Sequence, residues 1–75
     1  MKLKDLLKVV DPMQDITLEI AELTAPEGIY AKDIPEMRPM ALEMDIVDVH
    51  TAWYNAEDSI ETTLVVVVKG GKSNA

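Results

Sequence analysis

The first ten residues alternate between apolar and polar positions at a helical period. Apolar side chains recur at the i, i+3, i+4 and i+7 spacing that lines one face of a helix: Leu3, Leu6, Leu7 and Val10. Asp11 precedes Pro12, and a residue before proline is pushed out of the helical region, so the helix is expected to end there. A helix of about nine residues is marginal in isolation, so this one is expected to dock on a neighbouring element.

A change to period two over residues 16–21 predicts a half-buried strand. Pro26 and Gly28 then favour a chain reversal, because proline presets one backbone dihedral and glycine accepts unusual ones. A short apolar run at residues 29–31 follows the turn. Residues 16–31 are therefore predicted to form a β-hairpin.

The stretch 33–43 predicts little more than one turn of helix. Asp33 can cap a helix, and Pro35 suits the first turn. Glu36 lies three residues after Asp33, which is the spacing of a capping box. Pro39 limits the helix to about one turn.

Two further strands are predicted in the second half of the chain. Apolar positions return over residues 44–54 with polar residues between them, which indicates an edge-like strand, and a polar loop follows at 55–59. Residues 60–68 are β-branched almost throughout and give the strongest strand signal. The whole pattern predicts an α+β fold, with one N-terminal helix packed on a mainly antiparallel four-stranded sheet. It forms a single domain over residues 1–69, followed by a flexible tail at 70–75.

The closing strand is apolar on both of its faces. Its side chains point alternately to two sides, with Leu64, Val66 and Val68 on one and Val65 and Val67 on the other. One short helix covers one face of the sheet, so the second face needs another cover. The candidates are the methionine-containing segment 37–44, a partner, and a second copy of the chain. Burying a valine is worth about 1.5–3 kcal/mol, so we expect a homodimer or higher oligomer.

Charge and cysteine content narrow the classes of function. The 75 residues include 14 acidic and seven basic ones, for a net charge of −7, and no Lys or Arg lies between Pro39 and Val68. Direct nucleic-acid binding is not expected, because it depends on basic side chains that neutralise phosphates. The lack of cysteine excludes disulfides, thiolate metal sites and a thiol nucleophile. The apolar runs are far shorter than the about 20 residues of a membrane-spanning helix, so we expect a cytoplasmic protein without membrane contact.

No motif has the spacing of a catalytic or metal-binding site. Asp48 and His50 share one face of a strand, but a zinc site needs at least three protein ligands. The segment 70–73 resembles the end of a phosphate loop, yet Val66 stands where the first glycine belongs and no helix follows. We therefore expect a protein that is not an enzyme and holds no cofactor or metal.

A candidate contact surface combines acidic and aromatic side chains within residues 43–61. Its members are Asp45, Asp48, His50, Trp53, Tyr54, Glu57 and Asp58. Trp and Tyr are enriched among the residues that dominate the energetics of protein interfaces. Acidic side chains attract a basic partner. The alternative interpretation is that Trp53 anchors a core or interface and that the acidic residues only confer solubility.

A second hypothesis is a nucleotide-derived ligand bound between subunits. Trp53 or Tyr54 can stack on a base. Arg38 or Lys32 can hold a phosphate, with Tyr30 as a further ligand-binding candidate. In a dimer such groups can line a pocket between the two copies, where ligand sites are common.

Three short segments carry a resemblance to a known class of proteins: residues 30–36 with the turn Lys-Asp-Ile-Pro, residues 47–49, and residues 64–67. They resemble segments of small accessory proteins of phages and prophages in Gram-positive gut bacteria. The resemblance implies a gene of a mobile element, in a class that includes inhibitors of host defence. Our hypothesis is a non-catalytic inhibitor that occupies a host protein. The alternative is an oligomeric sponge that sequesters a nucleotide-derived signal.

Overall fold

The computed structural model describes residues 1–70 of the chain. In chain order, its elements are helix α1 (Leu3–Leu7), strands β1 (Asp15–Ile20) and β2 (Glu27–Tyr30), helix α2 (Ile34–Met37), and strands β3 (Asp45–Asn55) and β4 (Ile60–Lys69). Single 3-10 segments at Ala31–Asp33 and Pro39–Glu43 flank α2. The flexible tail was predicted at residues 70–75, and residues 71–75 lie outside the described part of the chain.

The described strands form one sheet in the order β2-β1-β4-β3, which makes the fold α+β as predicted. The predicted hairpin is present, because β1 and β2 pair antiparallel, and β3 and β4 also pair antiparallel. The two central strands, β1 and β4, run parallel, so the prediction of a mainly antiparallel sheet is wrong and the sheet is mixed. The reason lies in β4, whose two apolar faces suit a central position. It therefore pairs with β1 and leaves the more polar β3 at the edge.

The hydrophobic core lies on one face of the sheet. In the parallel pair, Leu18 is beside Val66 and Ile20 is beside Val68, and these side chains are buried. The helical segments add four further buried side chains on this side: Leu3, Ala31, Ile34 and Ala41. We call this side of the sheet the core face and the opposite side the open face.

The helical content is divided more finely than the sequence predicted. The N-terminal helix α1 is five residues long, although Leu6, Leu7 and Val10 all pack against the core as the apolar spacing indicated. The remaining helical segments lie between β2 and β3. Helix α2 is the single turn predicted before Pro39, but the description of the fold as one N-terminal helix on a sheet is wrong. A helix as short as α1 cannot cover the core face alone, and the segments between β2 and β3 complete that cover.

The methionine-containing segment 37–44 lies on the core face. Leu42 and Met44 pack against the core, whereas Met37 and Met40 are exposed. The segment therefore does not cover Val65 and Val67, and that alternative is wrong. These two valines are half-buried on the open face. In the strand register, Val65 lies between Thr17 and His50, and Val67 lies between Glu19 and Asp48.

Candidate functional site

The β3–β4 hairpin projects beyond the rest of the sheet. Strand β1 pairs with β4 only from Leu64 to Val68, so residues 52–63 extend past it. We call residues 52–63 the hairpin arm and residues 56–59 its tip. The arm accounts for the elongated shape of the molecule, which measures 46 Å along its longest axis and 23 Å and 19 Å across. Most of the predicted contact residues lie on this arm or on the part of β3 that leads to it.

Trp53 and Tyr54 project from opposite faces of the arm. Trp53 lies beside Thr62 in the register, on the continuation of the core face, and 66% of it is exposed. Trp53 therefore does not anchor the core of the subunit, and that part of the alternative interpretation is wrong. Tyr54 lies beside Glu61 on the open face and is also exposed. The two aromatic side chains thus present separate surfaces rather than one platform.

Tyr54 belongs to a polar cluster that joins the arm to β1. Its phenol donates a hydrogen bond of 3.0 Å to Asp15 Oδ2, and Thr63 Oγ1 donates one of 3.0 Å to Asp15 Oδ1. Thr17 Oγ1 and Thr63 Oγ1 are 2.9 Å apart. The hydrogen bond to Asp15 raises the pKa of Tyr54 above its ordinary value, with smaller contributions from desolvation and nearby charges. Sequence reasoning missed Asp15 and Thr63, because only the parallel register of β1 and β4 brings them together.

The acidic residues of the predicted surface have different surroundings. Lys2 Nζ lies 3.4 Å from Asp45 Oδ1, and Lys4 Nζ lies 2.8 Å from Glu43 Oε2. The hydrogen bond to Glu43 raises the pKa of Lys4. At the tip, Glu57 and Asp58 are exposed and have no ion-pair partner among residues 1–70. Of the four carboxylates of the predicted surface, Glu57 and Asp58 are thus the two without an ion-pair partner in residues 1–70.

His50 pairs with an acidic neighbour on the open face. Its Nδ1 lies 2.8 Å from Asp48 Oδ2, and both side chains are more than half exposed. In the described part of the chain, no group of three or more acidic or histidine side chains is arranged to hold a metal ion. The structure thus places His50 in a surface pair with Asp48.

The three residues proposed for a nucleotide-derived ligand, two of them for its phosphate, lie in different surroundings. The Arg38 guanidinium forms a forked ion pair with Glu27, with 2.7 Å from Nε to Oε2 and 3.0 Å from Nη2 to Oε1. Lys32 Nζ lies 3.0 Å from Asp33 Oδ1. Tyr30 projects to the open face next to Asp15 in the register, whereas Glu27 and its partner Arg38 belong to the core-face side.

A shallow depression lies beside Tyr30 on the open face. It is lined by Asp15, Gly28, Ile29 and Tyr30 and has a volume of about 250 Å³. Pockets that bind small molecules usually measure about 300–1,000 Å³ and bury most of the ligand. This depression is smaller than that range, and its one charged side chain is a carboxylate, which repels a phosphate.

Comparisons with protein families, with curated proteins and with solved structures find no match to this chain. The resemblance to phage accessory proteins therefore remains a prediction. Over residues 1–70, no helix combines the length and apolar character needed to cross a membrane.

Proposed function

We propose that the chain is a non-catalytic binding protein whose hairpin arm occupies a basic surface of a protein partner. The observation that supports this proposal is the arm itself. It projects beyond the sheet and carries an exposed tryptophan, an exposed tyrosine and carboxylates at Glu57, Asp58 and Glu61. A projecting hairpin with these side chains can enter a concave surface on another protein.

The charge distribution supports a basic partner rather than an acidic or neutral one. No lysine or arginine of the described chain pairs with Glu57 or Asp58, so both carboxylates are available to a partner. Such charges increase the rate of encounter with a positively charged surface and discriminate against acidic surfaces. Trp53 then supplies apolar contact area, since tryptophan is the residue type most enriched at energetic hot spots.

The proposed activity is stoichiometric inhibition, in which the partner is blocked by occupancy. It accords with the resemblance to phage accessory proteins, among which are inhibitors of host defence. The nucleotide sponge finds no comparable support, because Arg38 and Lys32 are already paired with carboxylates.

The test compares two charge-reversal variants of equal net charge. The arm variant is Glu57→Lys with Asp58→Lys, and the control is Glu22→Lys with Glu36→Lys, both at exposed positions away from the arm. Each pair of substitutions changes the net charge by +4, from −7 to −3. The immobilised proteins are incubated with a lysate of a Gram-positive bacterium, and any captured protein is identified, purified and titrated by calorimetry.

The proposal predicts a basic protein that binds one-to-one to the parent chain and to the control, and whose affinity falls as salt concentration rises. The arm variant should bind it at least about tenfold more weakly, which corresponds to about 1.4 kcal/mol. Equal binding by the two variants would show that the tip is not the contact surface. A released nucleotide in the mass spectrum of the purified chain would support the sponge instead.

A further inference from the structure

The outer edge of β3 is open along most of its length. Near its start, the N-terminal segment pairs with this edge, because the Ile46 amide donates to the Met1 carbonyl and the Leu3 amide donates to the Met44 carbonyl. In the described part of the chain, no strand pairs with the outer side of β3 from Asp48 to Asn55. We call this stretch of about 26 Å the free edge.

The backbone groups that the free edge presents follow from the register. The Ala56 amide donates to the Ser59 carbonyl inside the hairpin, so by alternation the amides of Tyr54, Ala52 and His50 also face β4. The backbone amides and carbonyls that face outward therefore belong to Val49, Thr51, Trp53 and Asn55. A β-bulge between Ile46 and Asp48 interrupts this alternation and marks where the free edge begins.

From Val49 to Asn55, the free edge lacks the charged side chains and prolines that usually prevent strands from associating. Edge strands are commonly blunted by lysine, proline or inward-pointing charge. Residues 49–55 contain no Asp, Glu, Lys, Arg or Pro, in a chain of net charge −7. Val49 and Trp53 are 41% and 66% exposed along it. An uncharged, partly apolar edge on an acidic molecule is complementary to a second copy of itself.

We propose that two copies of the chain pair antiparallel through the free edge, with Ala52 opposite its own copy on the two-fold axis. A two-fold antiparallel pair must place one residue opposite itself, and Ala52 is the midpoint of the four outward residues. In this register Thr51 exchanges backbone hydrogen bonds with Trp53 of the second copy, and Val49 does so with Asn55. Every outward amide of residues 49–55 then has a partner, and the two sheets become one continuous sheet.

The side chains of this register are compatible. The pairs without backbone bonds approach most closely, and the small side chain of Ala52 lies at that point. His50 lies opposite Tyr54 of the second copy, and no two like charges lie opposite each other, which would be destabilising.

The inference places self-association at the edge rather than on the open face, where the sequence pattern of Val65 and Val67 had suggested it. It does not depend on the proposed function, because the tip carboxylates and the free edge are changed by different substitutions.

Sedimentation equilibrium tests whether the two-fold axis of the dimer lies at Ala52. Ala52→Lys and Ala52→Glu each place like charges opposite one another, and each should raise the dimer dissociation constant by roughly five- to tenfold. An equimolar mixture of the two should recover association, because lysine then faces glutamate. The control Thr62→Lys adds the same charge to the arm on β4 and should dimerise like the parent chain.

Thr51→Pro provides a second, independent variant. It removes an outward amide that has no partner within the described chain, so the hairpin ladder is retained, and the dimer should be lost. Circular dichroism verifies that each variant is folded. A parent chain that is monomeric up to about 1 mM overturns the proposal, as does a dimer that both Ala52 variants leave intact. A dimer that Val65→Thr weakens but Thr51→Pro does not would place the contact on the open face and overturn it as well.

Discussion

The phenol of Tyr54 donates a hydrogen bond of 3.0 Å to Asp15 Oδ2, and this bond spans 39 residues of sequence. It ties the base of the hairpin arm to the first residue of β1, on the side of the sheet that has no helical cover. The arm is therefore held in a defined direction by a polar contact as well as by its strand pairing. This arrangement explains how a projecting hairpin can present its tip in a fixed position.

The Tyr54 contact predicts a change in stability at alkaline pH. Because the hydrogen bond to Asp15 raises the pKa of Tyr54 above 10.0, the stabilisation is fully present below pH 10 and is lost as pH rises through the raised pKa. In an absorbance titration of tyrosinate, Tyr54→Phe should remove a late part of the transition that the parent chain shows. An unchanged late part in Tyr54→Phe would contradict the contact.

The two sides of β4 are predicted to differ in their tolerance of a hydroxyl group. Val66 is fully buried in the core, whereas its neighbour Val65 is half-buried on the open face beside Thr17 and His50. Val66→Thr should lower the free energy of unfolding by about 1–3 kcal/mol, because the hydroxyl has no water to bond. Val65→Thr, of the same shape, should change it by less than about 0.5 kcal/mol. Urea denaturation followed by circular dichroism measures both, and equal losses would mean that the open face is covered.

The ion pair between Arg38 and Glu27 is predicted to link the helical segments to β2. The side chains are 32% and 30% exposed, so solvent screens their attraction in part. A double-mutant cycle with Arg38→Gln and Glu27→Gln should give a coupling energy of about 0.2–1 kcal/mol. Arg38→Lys should lose most of it, because lysine keeps the charge but not the fork. Full retention of the coupling energy in Arg38→Lys would show that the geometry is unimportant. The adjacent pair Lys32 and Asp33 should give a smaller coupling.

Local patterns in the sequence identified the strands and the first hairpin, because alternation acts over a few positions. The predicted turn was misplaced, since Gly28 lies in β2 and the positive φ of the reversal is at Glu22. They could not reveal that β1 and β4 run parallel, since that pairing depends on which strand of the second hairpin enters the centre of the sheet. The bulge near Val47 was also missed. It places Ile46 on the core face with Val49, although strict alternation assigns them to opposite faces.

The candidate surface was predicted in composition but not in arrangement. Exposure of Trp53 and of the tip carboxylates agrees with a contact surface. The partner of Asp45 is Lys2, which lies 43 residues away and reaches it only because the N-terminal segment joins the edge of β3. Long-range pairing of this kind gives Asp45 and Glu43 lysine partners and leaves Glu57 and Asp58 without one in the described residues, which spacing along the chain does not indicate.

Amide hydrogen exchange at two protein concentrations tests the central structural claim, that β3 is an open edge at which two copies meet. In dilute solution the amides of Ala52 and Tyr54 should be protected, because they face β4, while those of Val49, Thr51 and Trp53 exchange rapidly. At high concentration the second group should become protected as well, and the first should change little. Outward amides that exchange equally fast at both concentrations, or that are already protected in the dilute monomer, would contradict the account.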